Sequence, residues 1–270
     1  MTTTNEKSFV EVKLSRGQPV IRTISVEDLR EVLTKGFEDF KTKPSHLILI
    51  IFIYPIVSLF VFRLSAGYDI LPLIFPLLAG FALIGPMAAI GLYEMSRRRE
   101  QGLDISLMRS LLDAVRSPSI GAIAMLSIIM MVIYFAWLGA AQAIYGLFFG
   151  SLVPESVGEF ARQVFTTRSG WALIFVGSGV GFLFAVVVLA ISAVSFPMLL
   201  DRDVGAMTAV QTSVRAVFAN PMTMAIWGMI VAGALVIGAL PLFVGLAVVM
   251  PVLGHSTWHL YRKVVESDIG

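Results

Sequence analysis

The stretch LMRSLLDAVRSP, residues 107–118, runs straight into SIGAIAMLSIIMMVIYFAWLGAAQAIYGLF, residues 119–148, and the reading of this junction decides the fold. The first part sets Leu107, Leu111 and Ala114 on one helical face, with Arg109, Asp113 and Arg116 off it. The second is an apolar run long enough to cross the hydrocarbon of a bilayer, which takes about 20 residues. The same junction recurs at two other prolines. Counted back from Pro44, Pro118 and Pro221, the eleventh residue is Leu33, Leu107 and Val210, the seventh Phe37, Leu111 and Val214, and the fourth Phe40, Ala114 and Val217. The chain therefore reads as three related units, each an amphipathic helix that leads through a proline into a membrane hairpin.

Composition agrees with lipid as the solvent. Hydrophobic residues make up 57% of the 270, charged residues 14%, and the mean hydropathy is +0.86. The net charge of +2 comes from charges set between apolar spans rather than in a basic patch with interleaved aromatics, so a nucleic-acid binder is excluded. Cysteine is absent, which removes disulfides, thiolate metal sites, iron–sulfur ligation, covalent haem attachment and Cys lipidation. The first 45 residues are polar and charged and do not read as a secretory signal, so the first internal span directs insertion.

Residues 1–24 read as a partly ordered cytoplasmic arm, either a small strand pair or a loose tail. From Ser25, an N-cap with Asp28 three residues on, the first amphipathic helix covers 26–42. The others cover 104–117 and 203–219. Spans are expected at 45–63, 70–95, 119–148, 171–199, 221–238 and 241–260, the last two divided at Gly238 to Pro241. The third is longer than a bilayer needs and tilts or projects. The outer loop, 151–169, sets Val157, Phe160, Ala161, Val164 and Phe165 at helical spacing and predicts a short helix on the outer membrane surface.

The fold class is thus an all-α membrane protein with six transmembrane helices as three hairpins, each preceded by a cytoplasmic amphipathic interfacial helix. Residues 25–270 form one domain of repeat units 25–96, 97–200 and 201–262. Lys and Arg near span ends stay in the cytoplasm. On this layout 17 of the 20 lie on the side of both termini, and Arg63, Arg162 and Arg168 lie on the other.

Pro44, Pro118 and Pro221 start spans, where a missing N–H costs nothing. Pro86, Pro197 and Pro251 lie toward the cytoplasmic ends of the returning spans and kink them. The spans hold almost no ionisable residue, which argues against a pump or proton-coupled carrier and leaves a passive path for a neutral solute. Small residues such as Gly139, Ala143, Gly177 and Gly181 allow close helix packing. His46, His255 and His259 fall near the cytoplasmic boundary. His255 and His259 share a helical face at the spacing of paired metal or haem ligands, while Trp258 and Tyr261 beside them read as an interfacial aromatic belt. No phosphate loop, metalloprotease or nucleophile-elbow motif is present, so no catalytic residue is assigned.

Four phrases, Ile24-Ser25-Val26-Glu27-Asp28-Leu29, Gly36-Phe37-Glu38-Asp39-Phe40, Phe196-Pro197-Met198-Leu199-Leu200-Asp201-Arg202-Asp203 and Gly254-His255-Ser256-Thr257-Trp258-His259-Leu260-Tyr261-Arg262, resemble a bacterial family of integral membrane proteins catalogued as a domain of unknown function. The resemblance runs over nearly the whole chain. It implies a multi-pass protein of the bacterial inner membrane and brings no catalytic residues. Some members carry a label as cytochrome oxidase subunit I-like, but three boundary histidines are too few to hold two haems and a copper within a membrane. The expectation is a non-catalytic protein, without a cofactor, that associates with or helps assemble a larger membrane complex. The alternatives are a small-solute channel or carrier and a haem- or metal-binding protein.

Overall fold

The computed structural model describes residues 19–42, 71–241 and 243–266. The expected first span, Pro44 and His46 lie outside the described residues. Regular structure within them is helical, apart from one antiparallel β-bridge between Ile21 and Val265. Helices α1 (Val26–Thr42), α4 (Leu107–Arg116) and α9 (Ala206–Ala219) are the three amphipathic segments. The long apolar helices are α2 (Ile74–Ala88) with its continuation α3 (Ile90–Glu100), α5 (Ile120–Phe149), α7 (Arg168–Ser192) with its continuation α8 (Ser195–Asp201), and α10 (Pro221–Ala239). Between α5 and α7 lies α6 (Val157–Thr166), the short helix expected in the outer loop, and α11 (Leu246–Val264) closes the chain. Among the described residues four segments are long and apolar enough to cross a membrane: Leu71–Glu100, Ile120–Phe149, Arg168–Asp201 and Pro221–Ala239. The segment read as a sixth span is a helix, but its second half carries His255, Ser256, His259, Arg262 and Lys263, and it is not among the four.

Local signals explain the boundaries. Ser25 and Asp28 form a reciprocal capping box: the Ser25 N–H donates to Asp28 Oδ2 at 2.8 Å and the Asp28 N–H to Ser25 Oγ at 3.2 Å. Pro221 is the first residue of α10, and Pro118 stands in the turn just before α5. Pro197 cannot donate to the Ala193 carbonyl, and α7 breaks at Ala193–Val194. The freed Val194 N–H donates to Ser213 Oγ of α9 at 3.1 Å. Pro86 stands three residues before the turn at Ala89 that separates α2 from α3, whereas Pro251 lies inside α11.

One pairing recurs. Each amphipathic helix packs on the returning helix of the unit before it: α4 on α3, α9 on α7 and α8, and α1, closing the ring, on α11. The buried stripe differs from the apolar positions that mark the repeat. Leu33 and Phe40 are half-buried, Phe37 and Leu111 are exposed, and of the eight positions whose side chains are described only Ala114 is buried. The residue eight before each proline faces protein instead, and it is small: Gly36, Ser110 and Ser213, all buried. Helices that cross closely need small residues at the contact, so the large apolar positions turn outward.

The closest approach is between α1 and α11. A Cβ built on Gly36 would fall 2.0 Å from Ser256 Oγ, 2.7 Å from its backbone nitrogen and 2.9 Å from its Cα. No rotamer change relieves contacts with backbone. Gly36→Leu is therefore expected to push α1 off α11 and to destabilise the protein by about 1–3 kcal/mol or more. Thermal unfolding in detergent, with Gly85→Leu as the comparison because its Cβ would meet nothing within 4 Å, checks this.

Candidate functional site

The described ends of the chain meet at one pole of the bundle. The Arg22 N–H donates to the Val264 carbonyl at 2.8 Å and the Glu266 N–H to the Val20 carbonyl at 3.0 Å. Asn220, buried where α9 meets α10, accepts from the Ile24 N–H at 2.8 Å and donates to the Arg22 carbonyl at 3.1 Å. Thr223 donates to the Ile24 carbonyl at 3.0 Å. Lys263 binds Asp28 at 3.1 Å and Glu31 at 2.6 Å, which aligns α1 antiparallel to α11.

Within this clasp lies a buried polar cluster centred on Asp39 of α1. Its carboxylate accepts from Ser96 Oγ at 2.5 Å, pairs with His259 Nε2 at 2.9 Å and is bound by the Arg99 guanidinium. Ser96 Oγ also meets His255 Nδ1 at 2.8 Å. A hydroxyl has one proton. With that proton given to Asp39, His255 must donate through Nδ1, and its Nε2 is left buried without a hydrogen-bond partner. Asp39 thus ties α1 to α3 and α11 at once, and only 7% of it is exposed.

The cluster continues outward. His259 Nδ1 lies 3.6 Å from Glu100, whose other oxygen binds Arg262 Nε at 3.2 Å. Arg262 reaches Asp201 at 3.3 Å, and Asp201 accepts from the Tyr261 hydroxyl at 2.6 Å. A cleft of about 230 Å³ opens beside the cluster, lined by Lys35, Glu38, Asp39, Ser96, Arg99, Glu100 and His259.

Burial alone would push the Asp39 carboxyl up. The hydrogen bonds from His259 and Ser96 and the neighbouring imidazoles outweigh it, and the net displacement is below the ordinary value. Burial, then the adjacent Asp201, drives the Tyr261 phenol up.

His255 and His259 do share a face, as their spacing implies. Their inward nitrogens are engaged by Ser96 and Asp39, and among the described residues no three of His, Cys, Asp and Glu are placed to hold one metal ion. Trp258 and Tyr261 do not form an exposed belt: both are buried, with ring centroids 5.6 Å apart. Sequence reasoning missed Asp39, Ser96 and Arg99. The available signal was the run Val32, Gly36, Asp39, which continues the buried stripe of α1 by steps of four and three.

Residues 74–201 match the model of a family described as "Predicted integral membrane protein (DUF2189)", a domain of unknown function. With its four long apolar helices, the chain is an integral membrane protein. Of the four phrases that carried the resemblance, only Phe196–Asp201 falls inside the matched stretch. Searches of curated proteins and of solved structures returned no match.

Asp39→Ala is expected to cost about 3–5 kcal/mol, the range for breaking a buried ion pair from one side. Because the folded-state pKa of Asp39 lies below the ordinary 3.8, its contribution is fully present above that value and is lost as pH falls through the lower folded value. The distance between spin labels on Glu27→Cys and Glu266→Cys should hold from neutral pH through the ordinary carboxylate range and lengthen only in stronger acid.

Proposed function

We propose that this chain is a non-catalytic integral protein of a bacterial inner membrane, with both ends in the cytoplasm, that serves as an accessory or assembly partner of a larger membrane complex. The observation that carries the reading is the way polar groups are used at the closed pole. Asp39, Arg99, His259, Glu100, Arg262 and Asp201 bind one another across four helices, which builds a rigid platform. Apolar side chains of the amphipathic helices project from the same pole, among them Phe37 of α1, Leu112 and Val115 of α4 and Phe218 of α9. A rigid frame with projecting apolar side chains suits the membrane surface and a neighbouring protein.

The orientation is supported by the distribution of Lys and Arg and by the meeting of residues 20–22 with 264–266, which sets both described ends on one side. Residues 25–270 act as one domain, since α1 near one described end packs on α11 near the other.

Purification from native membranes in mild detergent, with co-purifying proteins identified by mass spectrometry, tests this. A stoichiometric membrane partner is expected, and Leu112→Glu combined with Val115→Glu should release it while the chain stays folded. Recovery of the wild-type chain alone, together with solute uptake into vesicles that contain it, would replace this reading with that of a channel or carrier. A coloured or metal-loaded preparation that loses colour or metal in His255→Ala, His259→Ala would replace it with that of a haem- or metal-binding protein.

A further inference from the structure

We propose that the α10–α11 hairpin turns back inside the bilayer, so that Leu240, Pro241 and residues 243–245 sit in hydrocarbon and never reach the far side. This rests on the reading that α5 and α7 cross the membrane.

Two internal rulers give the height of the hairpin against α5. A Cβ on Gly80 would lie 2.1 Å from the Tyr134 ring, which sets that part of α2 level with the middle of α5. Between Gly80 and Leu92 the chain descends about 18 Å toward the closed pole, at 1.5 Å per residue. There Leu92 abuts Gly254, whose Cβ would lie 2.6 Å from Leu92 Cδ1. Rising along α11 from Gly254 to its first residue, Leu246, regains about 12 Å, which ends short of Tyr134. The second ruler uses α7. Gly181 packs on the Trp137 ring, and Leu189, about 12 Å lower, touches Gly228 of α10. Gly228 to Gly238 climbs about 15 Å, to about 3 Å past the level of Trp137. Beyond Trp137, α5 runs on to Phe149, about 18 Å farther.

The bilayer extends to the outer ends of α5 and α7, where Leu147, Trp171 and Phe175 expose large apolar side chains. About 20 residues inward from Phe149, the thickness of the hydrocarbon, α5 reaches Met130. The hairpin therefore ends near the middle of the bilayer, about 15 Å or more short of Phe149.

Chemistry of the tip agrees independently. From Gly228 to Gly254 no side chain is charged or forms hydrogen bonds, whereas the connection between α5 and α7 carries Ser151, Glu155, Glu159 and Arg162, and α7 opens on Arg168. Leu240 is 76% exposed and Val236, Ile237 and Val244 project with it, a surface suited to acyl chains and costly in water. Irregular backbone in hydrocarbon has to satisfy its own donors. Here the Phe243 N–H donates to the Ala239 carbonyl at 3.0 Å, Val244 to Pro241 at 3.1 Å, Leu246 to Phe243 at 3.0 Å and Ala247 to Val244 at 3.1 Å. Pro241 has no N–H to satisfy. Phe243 adopts φ 66°, a left-handed conformation unfavourable to a bulky residue, and so closes this turn.

The chain has no cysteine, so single-cysteine labelling reads the topology directly. With a membrane-impermeant maleimide, Ser151→Cys should react in intact cells. Leu240→Cys should react neither there nor in inverted vesicles, yet react fully after denaturation. A nitroxide at Leu240→Cys should collide more with oxygen than with a water-soluble nickel chelate. Labelling of Leu240→Cys in folded membranes from either side, or greater access for nickel than for oxygen, overturns the proposal. Ser151→Cys reacting only in inverted vesicles would instead overturn the orientation on which it rests.

Discussion

A carboxylate sealed from water has to be met by donors, and Asp39 is met by three. An uncompensated charge at that depth would cost several kcal/mol, so the donors from α3 and α11 must be in place whenever α1 is docked and charged. The constraint joins the start of the chain to its end. Helix α1 reaches its low-energy position only against residues 253–266, so the closed pole forms only when the last element is available.

The recurrent pairing of helices follows from the same need. An amphipathic helix next to a membrane has two apolar neighbours, lipid and protein, and the two ask for different side chains. Lipid accepts bulk, while a close helix contact excludes it. Gly36, Ser110 and Ser213 serve the second need, and Phe37, Leu111 and Phe218 face away from it. Ser213 does more than fit, since its Oγ takes the N–H that the break before Pro197 leaves free. The acidic positions repeat as well: Asp39 and Asp113 each stand five residues before a proline, and each is bound by an arginine of α3.

What the residues disclosed of this arrangement depends on the range of the signal. Local signals were readable: the Ser25–Asp28 cap, the start of α10 at Pro221, the outer helix at 157–166 and the break after Gly238 all stand where turn and capping chemistry puts them. The partner of each helical face was not. Periodicity reports that a face avoids water and is blind to whether lipid or protein covers it, so the positions of Leu33, Phe37 and Phe40 were legible and the docking stripe beside them was not. Asp39 was hidden for a related reason. A carboxylate at the edge of an amphipathic helix reads as solvated, and only residues 57 to 220 positions away reveal it as buried. The histidines were found by spacing, but spacing within α11 did not disclose that Ser96 and Asp39 engage them.

The breaks in α2–α3 and α7–α8 bear on where the bilayer ends. On the far side of Ala89 and Ala193 the helices are apolar and loosely covered. On the near side α3 and α8 are buried and carry Arg97, Arg98, Arg99, Asp201 and Arg202 at or next to their ends. A helix that continued straight would hold its polar end apart from its neighbours, because lipid-facing spans need not converge. The breaks let the ends bend together, and convergence is what lets Arg262 reach Glu100 and Asp201 from a third helix. Two layers with different physics result, one held by lipid and apolar packing, the other by charge-assisted hydrogen bonds in a water-poor core. The second can be specific where the first cannot: lipid tails do not distinguish one apolar helix from another, whereas a buried aspartate tolerates only a partner that brings a donor.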